Sequence, residues 1–511
     1  MLQFILRRIA ISALIMFLGS ILLYVLMINS GDPLADLRES RAENREQLMQ
    51  ARIDNMGLDE PWWQRYLGWL TGVSRCFVLQ CDLGTTRDGA SVNALLLASA
   101  GASLRLVTVA TFLAIFIGVT LGVLSAIRQY SGFDYAITFG AFLFFSLPVF
   151  WAAVLLKDFG AIRFNNWMAD PAVSTTATAV VALVFALAVA SLLGGSLRRQ
   201  LVTGLVTFAV VFGVVFAFDQ VTWWVQPALG LPLILIGALG ALGFMLVMTV
   251  GLANRRILYA GLVTIGLGLV SYFVTGPLLE DPANWWVIFA LAGATVLVGL
   301  AVGWVMGGYE RRTAMVVSVG TALGMAFLVF MDRLLRGWAG FLDMAPGGRP
   351  IGTIGENRII PERFTGDFWE GIFNWGVQLV LPTIVLTLIS IAAYSRYTRG
   401  SMLETINQDY IRTARSKGLS DRVVFTKHAL RNALIPITTI VAFDFASLLG
   451  GAVITETIFG WRGLGAMFRQ GLEFVDPNPV MAYYLVAGGA AVLMNMLADI
   501  AYASLDPRIR R

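Results

Sequence analysis

The feature of the sequence that most constrains its fold is a series of apolar runs, each about 20 residues long. A helix of roughly 20 residues crosses the hydrocarbon core of a bilayer, so each run is long enough to span a membrane. Only 14% of the 511 residues are charged, whereas soluble domains carry about 25%. The sequence therefore predicts an all-α membrane protein that crosses the bilayer many times.

The placement of arginine sets the predicted orientation of these helices. We predict about twelve spans, at 9–28, 103–127, 133–156, 173–195, 201–218, 228–252, 257–276, 284–306, 313–331, 375–395, 436–456 and 480–503. Arg7 and Arg8 put the N-terminus in the cytoplasm, because short cytoplasmic loops are rich in arginine and lysine. Every second loop after them is basic and the short loops between are not, so both termini are expected in the cytoplasm. The first apolar run is too long for a signal peptide, which predicts an uncleaved first span.

Two long segments are expected on the outer side, at 29–100 and 332–373. Both cysteines, Cys76 and Cys81, lie in the first of these segments. An oxidising exterior allows a disulfide, and a separation of five residues can close one. Two buried free thiols are the alternative, and a thiol count with and without reductant distinguishes the two.

A charged segment at 396–431 stands between two apolar spans on the predicted cytoplasmic side. Its basic residues are Arg396, Arg399, Arg412, Arg415, Lys417, Arg422, Lys427 and Arg431. The residues that recur there at helical spacing are Leu403, Ile406, Tyr410 and Ala414. Gly418 supplies a helix stop, and Ser420 can cap a second helix. On pattern alone, this amphipathic segment either lies on anionic lipid headgroups or docks into a groove on a soluble partner.

Several motifs together resemble one family, the oligopeptide/dipeptide/nickel family of ABC-importer permeases, in its first-permease type. The segments that carry the resemblance are SRYTRGSMLETINQDYIRTARSKGLS and HALRNALIP in the charged loop, LLGGAVITETIFGWRGLG at 448–465, the LDPRIR ending, RR and GDP near the start, GLDEPWWQRYLGWL at 57–70 and DLGTT at 82–86. The resemblance covers about 1–160 and 370–511. In the family's EAA loop, Arg412, Thr413 and Ala414 take the Glu-Ala-Ala places and Gly418 takes the place of the glycine.

The resemblance implies a six-helix permease core in the cytoplasmic (inner) membrane of a prokaryote. Residues 1–170 would form its first half and 345–511 its second half, which includes the coupling loop 396–435. Residues 171–344 would then be an inserted six-helix module. Within that module, Gly237, Gly240 and Gly243 have a spacing that suits close helix contact.

The resemblance also implies a mechanism of ATP-driven import of oligopeptides or dipeptides. The coupling residues would be Asp409, Tyr410, Arg412, Thr413, Ala414, Arg415, Lys417 and Gly418, with Thr413 and Ala414 small enough for close approach to an ATPase. The implied partners are a second homologous permease, two ATPase subunits or a fused ATPase, an external substrate-binding protein and membrane lipid. ATP and Mg²⁺ would be used by the ATPase, because this chain has no Gly-Lys dipeptide and hence no P-loop. The chain itself would be a non-catalytic subunit that binds no cofactor.

Two acids within or near the spans are candidate positions on a substrate path, because ionisable residues in a membrane are costly. Asp444 would either meet a substrate amine, pair with another helix or face trapped water. Glu456 matches a glutamate of the family and is expected to order the outer loop more than to gate substrate. With one histidine and two cysteines, the sequence offers no credible metal site or nucleophile cluster. The net charge of +5 sits at span ends and does not indicate nucleic-acid binding.

The main alternative is a secondary transporter driven by an ion gradient, with the charged loop lying on the lipid surface. Twelve spans suit that class of transporter. However, its large loop would normally divide two six-span halves, whereas here the loop follows the tenth predicted span, and we see no repeat between the halves. ATP-dependent or ion-dependent uptake in sealed vesicles separates the two hypotheses.

Overall fold

A computed structural model describes residues 2–251, 254–355, 366–420 and 423–505 of the chain. The structure is 81% helical. Its described part holds a single isolated β-bridge, between Thr85 and Ser91, and no strand. The predicted all-α membrane fold is confirmed. The chain divides into two compact units, which are described separately below.

The first unit comprises Met1–Gly160, Thr353–Glu356 and Leu379–Arg511. Its helices are α1 (Leu2–Ile28), α2 (Ala35–Arg38), α3 (Arg45–Met56), α4 (Trp62–Ser74), α5 (Val92–Ile127), α6 (Gly132–Ser146), α7 (Val149–Lys157), most of α16 (Phe368–Ile406), α17 (Asp409–Ser416), α18 (Leu430–Gly451), α19 (Val453–Phe459), α20 (Leu464–Glu473) and α21 (Pro477–Leu505).

The second unit comprises Ala161–Gly352 and Asn357–Gln378. Its helices are α8 (Phe164–Met168), α9 (Thr175–Leu193), α10 (Leu197–Gln220), α11 (Gly230–Thr249), α12 (Arg255–Val274), α13 (Gly276–Glu280), α14 (Trp285–Met306) and α15 (Arg311–Met344), followed by the first turns of α16. The interpretation of 171–344 as an insertion stays a prediction, and this stretch lies inside the second unit.

Nine helices in the described part of the chain are long and apolar enough to cross a membrane. Three predicted spans differ from this simple pattern. The span expected at 173–195 corresponds to a shorter apolar helix, Thr175–Ser191. The span expected at 436–456 falls on α18, where part of the side chains lie outside the described set. The span expected at 133–156 is not one helix but a pair bent by 98°.

The bend at 146–149 has a local cause. Pro148 lacks a backbone N–H and disfavours the helical conformation in the residue before it. Leu147 accordingly has extended backbone angles, φ −77° and ψ 125°. The prediction of a span at 133–156 did not include this break, because the apolar composition continues through it.

Close helix packing in the first unit depends on glycines of α5. A Cβ atom on Gly118 would lie 2.7 Å from the Tyr394 Cβ, and one on Gly122 would lie 2.6 Å from the Ser395 carbonyl oxygen. Both glycines therefore let α5 approach α16 at a distance that a larger residue would prevent. A cluster of buried apolar residues, including Leu106, continues this contact along α5.

In the second unit, one of the three glycines predicted to allow close helix contact lies at such a contact, and the other two do not. A Cβ on Gly237 would lie 2.5 Å from the Leu328 Cδ1, but Gly240 and Gly243 have open space beside them. The close approach is instead between α14 and α15, where a Cβ on Gly299 would lie 2.8 Å from the Val319 Cα.

Segment 29–100, which we predicted to lie on the outer side, is held together by a disulfide and by the buried Arg52. Cys76 and Cys81 form the disulfide. Arg52 is 8% exposed, and its guanidinium donates to Asp36 at 2.5 Å. The backbone N–H of Arg87 donates to the Asp476 carboxylate at 2.7 Å, which attaches this outer segment to the residue before α21.

This attachment predicts a pH-dependent stability. Burial raises the pKa of the Asp476 carboxyl to about 6, although the N–H of Arg87 acts in the opposite direction. This folded-state pKa lies above the unfolded value of about 3.9, so the folded protein binds the proton more tightly than the unfolded chain does. The resulting stabilisation is fully present below about pH 4 and is lost as the pH rises through about 6. We expect thermal unfolding scans to show wild type losing on the order of 2 kcal/mol between these limits relative to Asp476→Asn.

The matched control is Asp59→Asn, because Asp59 is an exposed carboxyl of the same outer segment. It should follow the wild-type pH profile. If the unfolding free energies of wild type and Asp476→Asn changed equally with pH, Asp476 would not be the group responsible for the pH dependence.

Candidate functional site

The charged segment at 396–431, which we predicted to be cytoplasmic, includes the end of one helix, a break and a short second helix. Helix α16 ends at Ile406, and α17 runs from Asp409 to Ser416. The helix is interrupted at 407–408, so the three- and four-residue spacing of inward-facing side chains does not continue from α16 into α17. The inward residues of α17 are Ile411 and Ala414, which are 0% and 7% exposed, whereas Tyr410 is 42% exposed. The predicted apolar face through Tyr410 was therefore wrong, because the pattern was extended across the break.

The inner face of α17 packs on its own chain. The buried residues of this cluster are Ala126, Met402, Ile411, Ala414, Val424, Ala429 and Ala433. They come from the ends of α5 and α16, from α17 and from the segment that leads into α18. Ala414 therefore packs within the chain. We had expected its small side chain to allow close approach of a partner, but only 7% of its surface is exposed. The cluster joins α17 to the adjoining ends of α5 and α16 and to the start of α18.

The outer face of α17 carries the charged residues. Six of the coupling residues predicted from the sequence are exposed to more than a third of their surface and lie on or just after this face: Asp409, Tyr410, Arg412, Thr413, Arg415 and Lys417. Asp409 and Arg412 lie 3.7 Å apart, with side chains 98% and 74% exposed, so their ion pair contributes little to stability. We call this set, together with Gly418, the outer face of α17.

Two residues of this face have contacts within the chain. The Asn432 side-chain amide donates to the Tyr410 hydroxyl at 2.8 Å. The Arg415 guanidinium lies 5.7 Å from the centre of the Phe425 ring. These contacts connect the face to residues 425 and 432 of the segment that follows α17.

Gly418 ends α17 in the left-handed conformation, with φ +74°. The N–H of Gly418 donates to the Arg415 carbonyl at 2.9 Å, which satisfies a helix-end carbonyl. A Cβ on Gly418 would meet nothing within 4 Å. The demand for glycine at this position is therefore conformational and not steric. The predicted cap by Ser420 involves Asp421 and Arg422, which lie outside the described residues.

A buried ion pair at the base of this segment was not found from the sequence. Both nitrogens of the Arg399 guanidinium fork donate to the Asp134 carboxylate, at 2.8 Å and 2.9 Å. Asp134 also accepts hydrogen bonds from the Ser125 hydroxyl and from the N–H of Tyr130. An acid and a base at the ends of two predicted spans were the available signal, because ionisable residues in membranes pair with one another.

Asp444 is tied to a neighbouring helix. Its Oδ2 accepts hydrogen bonds from the Ser390 hydroxyl at 2.8 Å and from the Tyr394 hydroxyl at 2.6 Å. Both donors lie on α16. Of the alternatives for Asp444, helix pairing is thus the one with visible partners, and a role on the substrate path stays a prediction.

Glu456 is enclosed by the outer loop that follows α19. It is 1% exposed, and its Oε1 accepts from the Ser103 hydroxyl at 2.5 Å. Its Oε2 accepts from the N–H of Ala466 at 3.1 Å. The Ser103 hydroxyl oxygen in turn accepts from the N–H of Leu464 at 2.8 Å. The carboxylate therefore links the loop to α5, and a role for Glu456 on the substrate path stays a prediction.

Comparisons with protein families match both ends of the chain. Residues 262–511 match the model described as binding-protein-dependent transport system inner membrane component. Residues 1–84 match the model for the N-terminal part of such membrane components. The first match begins inside 171–344, the stretch that we interpret as an addition to the core.

Three curated relatives illustrate the similarity. The dipeptide transport system permease protein DppB of Alkalihalophilus pseudofirmus is 34% identical over 234 residues, which are 44% of this chain and 69% of that protein. The oligopeptide transport system permease protein OppB of Mycobacterium tuberculosis is 43% identical over 145 residues, 28% of this chain and 45% of that protein. The oligopeptide transport system permease protein AppB of Bacillus subtilis is 45% identical over 138 residues, 27% and 44%. The chain thus spans less than half the length of two of these relatives.

The Asp134–Arg399 pair generates a test of how the segment is anchored. Asp134 is 3% exposed and Arg399 is 29% exposed at the side chain. Asp134→Asn would leave Arg399 without its carboxylate, and we expect a loss of about 3 kcal/mol in unfolding free energy. Arg399→Gln should cost a similar amount, and the double variant should cost clearly less than the sum. Thermal unfolding of the four proteins in detergent measures this, and additive losses would show that the two groups are not coupled.

Proposed function

Because this chain belongs to the family of binding-protein-dependent transport system inner-membrane components, we propose that it is the transmembrane permease subunit of an ATP-driven importer of oligopeptides or dipeptides. The proposal has three parts: the substrate class, the coupling of transport to ATP, and the partners. Each part is supported by a different observation and is taken in turn.

The substrate class is supported by the relatives. Those compared above carry names that refer to oligopeptide and dipeptide transport systems. The family match over residues 262–511 includes Glu456 and the α17 loop, and no contact between this chain and a peptide is described. We therefore propose peptides as a class and propose no preferred length.

The coupling role is carried by one observation, the division of α17 into two faces. Ile411 and Ala414 pack against the ends of the membrane helices, while Asp409, Arg412 and Thr413 are exposed. A partner that binds the outer face would push on a helix that is already packed on the spans. Displacement of α17 would therefore reach α5, α16 and α18 through packed side chains.

The charge of the outer face supports an acidic groove on the partner. Arg412 and Lys417 are both exposed, and charge complementarity across an interface favours association. ATP binding and hydrolysis are proposed to take place on two ATPase subunits or a fused ATPase, because this sequence has no P-loop. A second, homologous permease and an external substrate-binding protein complete the proposed importer.

The alternative for α17 is contact with anionic lipid, as in a secondary transporter driven by an ion gradient. The same exposed Arg412 and Lys417 would serve that role. The two proposals differ in what co-purifies and in what drives uptake. Mild-detergent purification from native membranes should recover an ATPase and a second permease, and uptake into sealed vesicles should require ATP. A chain that purifies alone and takes up substrate with an ion gradient would contradict the importer.

Substitution of Gly418 tests the coupling role with a matched pair of variants. Gly418→Val forces a β-branched residue into a left-handed conformation, whereas Gly418→Asn introduces a residue that tolerates it. We expect Gly418→Val to lower ATP-dependent uptake at least tenfold and to lose the co-purifying ATPase, since the strain of about 1–2 kcal/mol displaces the end of α17. Gly418→Asn should retain both, with equal amounts of each variant in the membrane.

Normal uptake by Gly418→Val would contradict the coupling role. A charge-reversed variant, Arg412→Glu with Lys417→Glu, tests the same face without altering the backbone. It should lose the ATPase while keeping the wild-type unfolding temperature, because both side chains are exposed. Retention of the ATPase by this variant would also count against the proposal.

A further inference from the structure

A cavity of about 600 Å³ lies in the second unit, between α12, α14 and α15. Its lining includes Gly268, Tyr272, Ala292, Val298, Ala326 and Phe330. Its volume falls within the roughly 300–1,000 Å³ that is typical of ligand pockets. Two other lining residues, Val270 and Phe327, are 59% and 61% exposed, so the cavity opens on the surface of the unit. The coupling proposal makes no use of this cavity.

The threonine hydroxyls of the lining are already satisfied. The hydroxyls of Thr264, Thr275 and Thr295 donate to backbone carbonyls one turn earlier in the chain, at 2.9 Å, 2.8 Å and 2.8 Å. These threonines therefore offer methyl groups to the cavity and keep no unmet demand for a polar partner. A peptide backbone would lose its hydrogen bonds to water here without replacement. The lining is suited to a hydrocarbon chain.

A cation, Arg333, lies beside Tyr272, one of the residues that line the cavity. Arg333 follows the lining residue Phe330 by three positions on α15, and its guanidinium lies 5.7 Å from the centre of the Tyr272 ring. Arg333 is also 21 residues beyond Arg312 in the same helix, which corresponds to about 32 Å along the axis. That length matches the hydrocarbon core, about 30 Å. Since Arg312 belongs to a predicted cytoplasmic loop, Arg333 would lie at headgroup depth on the outer side.

The positive charge of Arg333 is only weakly compensated. Its Nε has no hydrogen-bond partner among the residues that the structure describes. Glu280 lies 3.7 Å from the Arg333 guanidinium; the glutamate side chain is 71% exposed and the arginine side chain 12% exposed, so water competes with Arg333 for the carboxylate. The adjacent Asp332 is buried and engaged elsewhere. It accepts from the N–H groups of Leu229 and Gly230 and from the Arg336 guanidinium.

We propose that this cavity is a binding site for a diacyl phospholipid with an anionic headgroup. An acyl chain fills the space between α12, α14 and α15, and the headgroup phosphate accepts hydrogen bonds from Arg333. Arginine suits this role because its guanidinium presents several fixed donors to phosphate oxygens. The apolar cavity with a cation beside its lining has the polarity of such a lipid. The second unit would thereby hold a specific lipid as part of its structure.

Native mass spectrometry of the full chain, purified in mild detergent, tests the proposal. The probes are phosphatidylglycerol and phosphatidylcholine with identical acyl chains. We expect one tightly retained phospholipid per chain, with phosphatidylglycerol preferred about tenfold. Ala292→Phe and Ala326→Phe each fill the cavity and should abolish retention. Ala290→Phe is the matched control, because Ala290 is exposed on the same helix and does not line the cavity.

A second arm separates the headgroup from the tail. Arg333→Gln should keep a lipid but lose the preference for phosphatidylglycerol, whereas Arg312→Gln, at the other end of α15, should keep it. Retention of lipid by both filled variants would overturn the proposed site, and so would retention of another apolar molecule in place of phospholipid. An undiminished preference in Arg333→Gln would overturn the role of the cation. Circular dichroism of each variant shows whether a loss of lipid reflects a loss of fold. Two cavity-filling variants, Ala292→Phe and Ala326→Phe, are used so that the test remains possible if one of them does not fold.

Discussion

The bidentate ion pair between Asp134 and Arg399 is the interaction on which the arrangement of the first unit depends. A carboxylate that is 3% exposed at the side chain is stable in a membrane protein only if a cation pairs with its charge and its oxygens accept hydrogen bonds. The Arg399 guanidinium supplies the cation and two hydrogen bonds. The Ser125 hydroxyl and the N–H of Tyr130 donate the others. The pair therefore fixes α5, the start of α6 and the end of α16 to one another. Seven residues beyond Arg399 that helix ends at Ile406, and α17 begins at Asp409.

Further polar ties secure α5 and α16 along their length. Asp444 of α18 accepts hydrogen bonds from Ser390 and Tyr394 of α16, and Glu456 joins the outer loop to Ser103 of α5. Between these ties, glycines bring α5 and α16 into backbone contact. In such a framework, the displacement of one helix moves its neighbours more than it would in a loosely packed bundle, because closely packed helices move as rigid bodies. One end of this framework carries α17, whose inner face belongs to the framework and whose outer face does not. The proposed coupling role of α17 rests on this division.

The sequence predicted what depends on composition and missed what depends on distant contacts. Most spans were predictable because each apolar run is as long as a bilayer is thick. The break at Pro148 was missed because the apolar run continues through it, and the inward face of α17 was misassigned because the helix is interrupted at 407–408. The Asp134–Arg399 pair joins residues 265 positions apart, and no local pattern indicates such a partner. Gly418 was the opposite case, because a helix stop is a local property of the backbone.

The central claim is that the outer face of α17 docks on an ATPase while the inner face stays within the chain. Photo-crosslinking in native membranes tests it most directly, with a photoreactive amino acid placed at Thr413 in one variant and at Ile411 in another. The account predicts that position 413 yields an adduct with an ATPase subunit that ATP changes in amount. Position 411 should yield only crosslinks within the chain. Adducts of position 413 with lipid alone would contradict the account, as would equal ATPase adducts from both positions.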